Sequence, residues 1–91
     1  MVVYYWTDYK PNDTDTQYKR KRKMLEQVFA YCDEYGIEYH PMSDLSHLIL
    51  HVAISNKLNE DYIIVAESFD KMPKIKDEFS FKTIKELLDN K

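Results

Sequence analysis

Ninety-one residues, 44% hydrophobic and 32% charged, describe one soluble globular domain spanning residues 1–91, with a single core and little surplus stability. The single glycine excludes Gly-rich phosphate loops, because neither GxGxxG nor a P-loop can be written. At a net charge of −3, the overall field does not draw the molecule to DNA or RNA.

The lone cysteine, Cys32, excludes an internal disulfide. No secretory leader and no membrane-length apolar run is expected, so a reducing cytoplasm is the expected setting. Eight tyrosines bring aromatics to 14% of the chain. Either they build the core or they form an adhesive interface, since Tyr buries its ring and keeps its hydroxyl wet.

Val2-Val3-Tyr4-Tyr5-Trp6 is β-branched or aromatic throughout and predicts a strand. Residues 7–16 follow as a loop rich in Asp, Asn and Pro, and Thr14, Asp15 or Thr16 is placed to cap the next helix. That helix is predicted over residues 17–35, with Leu25, Val28, Phe29 and Cys32 on one face, Tyr18 upstream and Tyr35 at its edge. Gly36 supplies a left-handed stop. Ile37-Glu38-Tyr39-His40 is a second strand, ended by Pro41.

Ser43 or Asp44 caps a second helix running to about Leu58, striped by Leu45, Leu48, Ile49 and Val52 and widened by Leu50, Ala53 and Ile54. Asp61-Tyr62-Ile63-Ile64-Val65-Ala66 is a near-continuous apolar run, the pattern of a central strand covered on both faces. It leads into a polar loop presenting Asp70, Lys71 and Lys74. Residues 74–79 form a short edge strand or stay irregular, and Ser80 caps a last helix carrying Phe81, Ile84, Leu87 and Leu88. This alternation predicts an α/β domain of three layers, helices on either side of a small, mainly parallel sheet of three or four strands.

Chemistry-bearing residues are few. Lys19, Arg20, Lys21, Arg22 and Lys23 are a candidate phosphate or nucleic-acid patch, but consecutive helical residues fan into a collar rather than a stripe. His47 and His51 share a helix face with His40 and Asp44 as further donors, yet the Glu of His-Glu-x-x-His is missing, and no metal site is assigned. Cys32 sits on an apolar stripe, where packing rather than nucleophilic chemistry is expected. Thr7 ends the first strand at the sheet edge that also carries Asp70, Lys71 and Lys74. A hindered alcohol with no evident base is a poor nucleophile there.

In order and motif, the chain resembles the N-terminal catalytic domain of serine recombinases, the resolvases and invertases. Val3-Tyr4-Tyr5-Trp6-Thr7, then Gln17, then the helix ending at Gly36 follow that family's strand, polar loop and long helix. Ile63-Ile64-Val65-Ala66-Glu67-Ser68-Phe69-Asp70-Lys71-Met72-Pro73-Lys74 looks like its Leu-Asp-Arg-Leu-x-Arg passage with lysines for arginines. The likeness covers residues 2–74. It places the family's nucleophilic serine at Thr7 and its first arginine at Tyr5, and nothing among Leu45, Ser46 and His47 supplies the arginine of the second helix. Lysine lacks the planar fork that grips a phosphoryl group, so the resemblance implies an inactive site.

The function expected is therefore a non-catalytic, resolvase-like domain of a phage or other mobile element. It would act without cofactor through a protein partner or self-association. Three alternatives stay open: a nucleic-acid-binding module using residues 19–23 with Lys71 and Lys74, a residual strand-transfer enzyme using Thr7 with Asp70, Lys71 and Lys74, and a thioredoxin-like fold lacking redox cysteines, suggested by Met72-Pro73.

Overall fold

The structure is a computed structural model that describes residues 1–68 and 79–89. Its elements, in chain order, are β1 (Val2–Trp6), α1 (Asp15–Glu34), β2 (Glu38–Met42), α2 (Leu45–Lys57), β3 (Tyr62–Ala66), β4 (Phe81–Thr83) and α3 (Ile84–Asp89). The four strands form one sheet in the order β2-β1-β3-β4, and every neighbouring pair is parallel. Ile63, Ile64 and Val65 thus run in an interior strand with parallel neighbours on both sides.

The alternation of side chains along β1 and β3 builds two cores. Val3, Tyr5, Ile63 and Val65 point to one face, where they meet Val28 and Cys32 of α1 and Ile84 and Leu87 of α3. Val2, Tyr4, Ile64 and Ala66 point to the other, against Leu48 and Val52 of α2. Both faces of the two inner strands are covered, which is why these strands read as unbroken apolar runs. The chain moves from β1 to β2 on one side and back across to β3 on the other, and crossovers of one hand then put α1 and α2 on opposite faces. Three layers result.

Local signals set the helix ends. Thr14 is the cap of α1: its hydroxyl accepts from the Gln17 N–H at 3.2 Å, while the Gln17 side chain accepts from the Thr14 N–H at 2.9 Å. At the other end Gly36 adopts φ +64°, Ile37 N–H reaches the Cys32 carbonyl at 2.8 Å, and Gly36 N–H reaches Asp33 at 3.3 Å. Asp44, not Ser43, caps α2, accepting from the N–H groups of Ser46 (2.8 Å) and His47 (3.4 Å). The same type of stop as at Gly36 closes α2, with Asn59 at φ 56° and Glu60 N–H on the Ser55 carbonyl at 2.9 Å. Asn tolerates the left-handed region better than most residues, so it serves where Gly would.

Four expectations need correction. Pro41 lies inside β2, which continues to Met42, because an edge strand has one side without a ladder partner and tolerates the missing N–H. Phe29 is 53% exposed, and the inward face of α1 is instead carried by Lys21, Met24, Leu25, Val28, Tyr31 and Cys32. Phe81–Thr83, expected within the last helix, forms the fourth strand of the sheet instead, while the stretch 74–79 lies outside the described residues except for Phe79. The final helix accordingly begins at Ile84, with Thr83 and Glu86 exchanging the reciprocal capping bonds expected of Ser80. Met72-Pro73, on which the thioredoxin-like alternative stood, lies outside the described residues.

Candidate functional site

The strand order places a topological switch point between β1 and β3, and in open parallel sheets the crevice beyond the carboxyl ends of such strands is the usual ligand position. A crevice of about 620 Å³ lies there. Trp6 and Asp8 reach it from the end of β1, Glu67 and Ser68 from the end of β3, and Arg20 and Lys21 from α1. Asp8, at φ 55°, turns the chain away from the sheet.

Most of the crevice's charge is already matched. Lys21 Nζ donates to both carboxylate oxygens of Asp13 at 2.9 Å and to the Asp8 carbonyl at 2.7 Å. The Lys10 N–H also donates to Asp13, at 3.0 Å, and this bond, reinforced by Lys21, holds the Asp13 carboxyl below the usual carboxylate range. Arg20 pairs with Glu67, linking α1 to the end of β3. Such pairing fixes the walls of the crevice.

Thr7 is buried and does not line the crevice. Its hydroxyl donates to the Met42 carbonyl at 3.3 Å and its N–H to the same oxygen at 3.0 Å, which ties the end of β1 to the end of β2. Asp70, Lys71 and Lys74 lie outside the described residues. Of the basic collar, Arg20 and Lys21 are engaged as above and Arg22 pairs with Glu26 at 3.3 Å, while Lys19 and Lys23 are exposed.

The histidines assemble differently from their sequence spacing. His40 and His51, rather than His47 and His51, come together, with rings stacked at 6.4 Å and Tyr4 at 5.8 and 5.9 Å. His47 is exposed. No group of three His, Cys, Asp or Glu side chains able to hold a metal ion occurs among the described residues. Tyr4 directs its hydroxyl to Ser55 Oγ at 2.6 Å beneath α2. Burial, helped by the Glu67 carboxylate, pushes the Tyr5 hydroxyl up to about 12, and burial alone pushes the Cys32 thiol up to about 11. Neither group ionises near neutrality.

Set beside protein-family models, curated proteins and solved structures, this chain matches none of them.

Side-chain chemistry points away from the crevice and to α2. Inward, Leu48 and Val52 are fully buried. Outward, Leu45, Ile49, Leu50 and Ile54, together with the C-cap Leu58, are 39–62% exposed. Residues 45–56 include no Asp, Glu, Lys or Arg, whereas the outer face of α1 carries Lys19, Arg22, Lys23 and Glu26. Exposed Ser46, His47, His51 and Asn56 share this outer side, so the aliphatic side chains form a patch among uncharged polar neighbours. The sequence did carry the signal, in the run Leu48-Ile49-Leu50 and in Ala53-Ile54. These apolar runs, interrupted by His51, exceed what one buried face requires.

Proposed function

We propose that this chain is a non-catalytic, resolvase-like α/β domain of the kind a phage or other mobile element would carry, and that it acts by protein–protein contact through the outer face of α2. The observation carrying this reading is the group of exposed aliphatic side chains on that helix and its C-cap, Leu45, Ile49, Leu50, Ile54 and Leu58. Isolated apolar residues on a surface need no explanation, but a contiguous patch rimmed by polar groups marks an interaction site. The resolvase-like part is supported by the order of elements and by an interior third strand leading to the switch point. A non-catalytic role is supported by Thr7, whose hydroxyl is turned to a backbone carbonyl, and by cations already matched to Asp13 and Glu67.

The test compares proteins recovered by the full chain and by its Leu50→Glu/Ile54→Glu variant from lysates of the cells that make it. Partners held by the wild type and lost by the variant are expected. Identical recoveries would remove the face from the function. Salt-sensitive mobility shifts with DNA would favour the nucleic-acid alternative, and nicking abolished by Thr7→Ala would favour the enzymatic one.

A further inference from the structure

The net charge of −3 conceals a separation of charge along the chain. Residues 1–23 carry six basic and three acidic side chains, whereas residues 24–91 carry seven basic and thirteen acidic ones. The basic part comprises β1, the loop after it and the first half of α1. Within it, the tertiary structure divides the run of five cations into two sets. Arg20 and Lys21 are held by Glu67 and Asp13. Lys19, Arg22 and Lys23 stay on the exposed side of α1, and neither lysine has an ion-pair partner among the described residues. Arg22 engages Glu26 only through Nε, in a pair 64% exposed at both ends and therefore well screened by solvent.

With Arg20 and Lys21 turned away, the collar becomes a patch. Lys19 and Lys23 are four residues apart, Arg22 is three from Lys19, and Tyr18 is four from Arg22, so the four side chains are neighbours on one helix surface. Like charges at this spacing repel one another, and an anion laid across them relieves the repulsion. Tyr9, from the loop after β1, stacks on Tyr18 with ring centroids 5.2 Å apart and planes 27° apart, yet Tyr18 remains 48% exposed. Burial, then Tyr18, raises the Tyr9 hydroxyl above its ordinary value while the Arg22 charge acts against the rise, which puts the guanidinium near the aromatic pair.

We propose that this side of α1 binds single-stranded nucleic acid, with Lys19, Arg22 and Lys23 on phosphates and Tyr18, steadied by Tyr9, against a base. Charge complementarity selects a polyanion, and the exposed ring selects one whose base faces are accessible. A duplex keeps those faces stacked inside and offers phosphates alone. Asp15 and Glu26 bound the patch about one turn away on either side, which sets the contact at about three phosphates.

This surface lies across the sheet from α2, so it is independent of the reading of α2 and fails separately from it. Fluorescence anisotropy of a labelled oligothymidylate of about fifteen nucleotides, titrated with the full chain, should show binding at low salt. With three phosphates held, log affinity should fall against log salt with a slope of about −2, roughly fifteenfold between about 50 and 200 mM. Lys19→Gln/Lys23→Gln should reduce the slope to about −0.7. Tyr18→Ala should weaken binding about tenfold at every salt concentration and leave the slope unchanged. Lys57→Gln/Lys85→Gln, which removes as much charge elsewhere, should leave the slope unchanged. All three variants should keep the wild-type circular dichroism spectrum. No binding at low salt, an equal change in the Lys57/Lys85 variant, or wild-type affinity in Tyr18→Ala would overturn the inference. A duplex of the same length, or phosphatidylserine vesicles, bound as tightly as the single strand would also overturn it. Strand binding together with a lysate partner lost by the α2 variant means that both faces are used. Strand binding with identical lysate recoveries removes α2 from the function and leaves α1.

Discussion

Lys21, the middle residue of five consecutive cations, turns inward and donates to both carboxylate oxygens of Asp13 at 2.9 Å. The two side chains are only 10% and 9% exposed, so the pair ties the loop after β1 to the body of α1 beneath the crevice. Removing one member would strand the other in a poorly hydrated position. Lys21→Met is therefore expected to lower the melting temperature by several degrees. Lys19→Met and Lys23→Met, on the exposed side of the same collar, should leave it within about one degree. Thermal unfolding followed by circular dichroism separates the cases.

Asp13 makes the same pair pH-dependent. Its carboxyl is held below its ordinary value of 3.8 by the Lys10 N–H and by Lys21. The linked stability is fully present above the ordinary value and is lost as pH falls through the lower folded value. The wild type should thus exceed Asp13→Asn in melting temperature at neutral pH, and the gap should close in acid. A gap that stays constant as pH is lowered would contradict this role.

Tyr4 and Ser55 share a 2.6 Å hydrogen bond between a strand and the underside of α2, and both are buried. Tyr4→Phe or Ser55→Ala leaves one buried hydroxyl without that partner, at a cost of about 1–3 kcal/mol each. The double variant should be less destabilised than the sum of the two, by about 1 kcal/mol, as contacting residues require. Strict additivity in urea unfolding would refute the coupling.

Cys32 reports on global opening. Its thiol is buried and pushed up to about 11, so thiolate is scarce at neutral pH and reagent cannot reach it. Native protein should resist an aromatic disulfide reagent and react fully in denaturant. Rapid modification without denaturant would show that α1 detaches from the sheet more readily than its packing implies.

Two leucines on one helix should behave in opposite ways. Leu48 is fully buried and Leu50 is 56% exposed. Leu48→Ala is expected to cost about 2–5 kcal/mol, enough to threaten folding of so small a domain. Leu50→Ala should change stability by no more than about 0.5 kcal/mol. Equal losses would mean that α2 sits differently on the sheet.

Much of the architecture is decided by short-range rules. Thr14 with Gln17, Gly36, and Asp44 mark helix ends because each satisfies orphaned backbone groups using only its neighbours. The run at residues 62–66 announces an inner strand because only a doubly covered strand needs apolar residues at every position, while the run at residues 2–6 announces a strand whose inner place the sheet order decides. Harder to read were the sheet's edges. Pro41 reads as a stop until β2 proves to be an edge strand, and Phe81–Thr83 is too short to declare itself. Asn59 ends α2 in the left-handed region, a weaker signal in sequence than the glycine at position 36.

The residues themselves fix most of the alternation of elements, the candidate caps of the first two helices and the central place of the strand at residues 62–66, since each depends on side chains within a few positions. Partner choice needed the assembled chain. Lys21 meets Asp13, Arg20 meets Glu67, His40 rather than His47 meets His51, and Thr7 turns to Met42, because strand order and helix rotation bring distant side chains together. The same holds for α2: its composition declares a largely apolar helix, but only its seat on one face of a four-stranded sheet decides which half is covered and which is exposed.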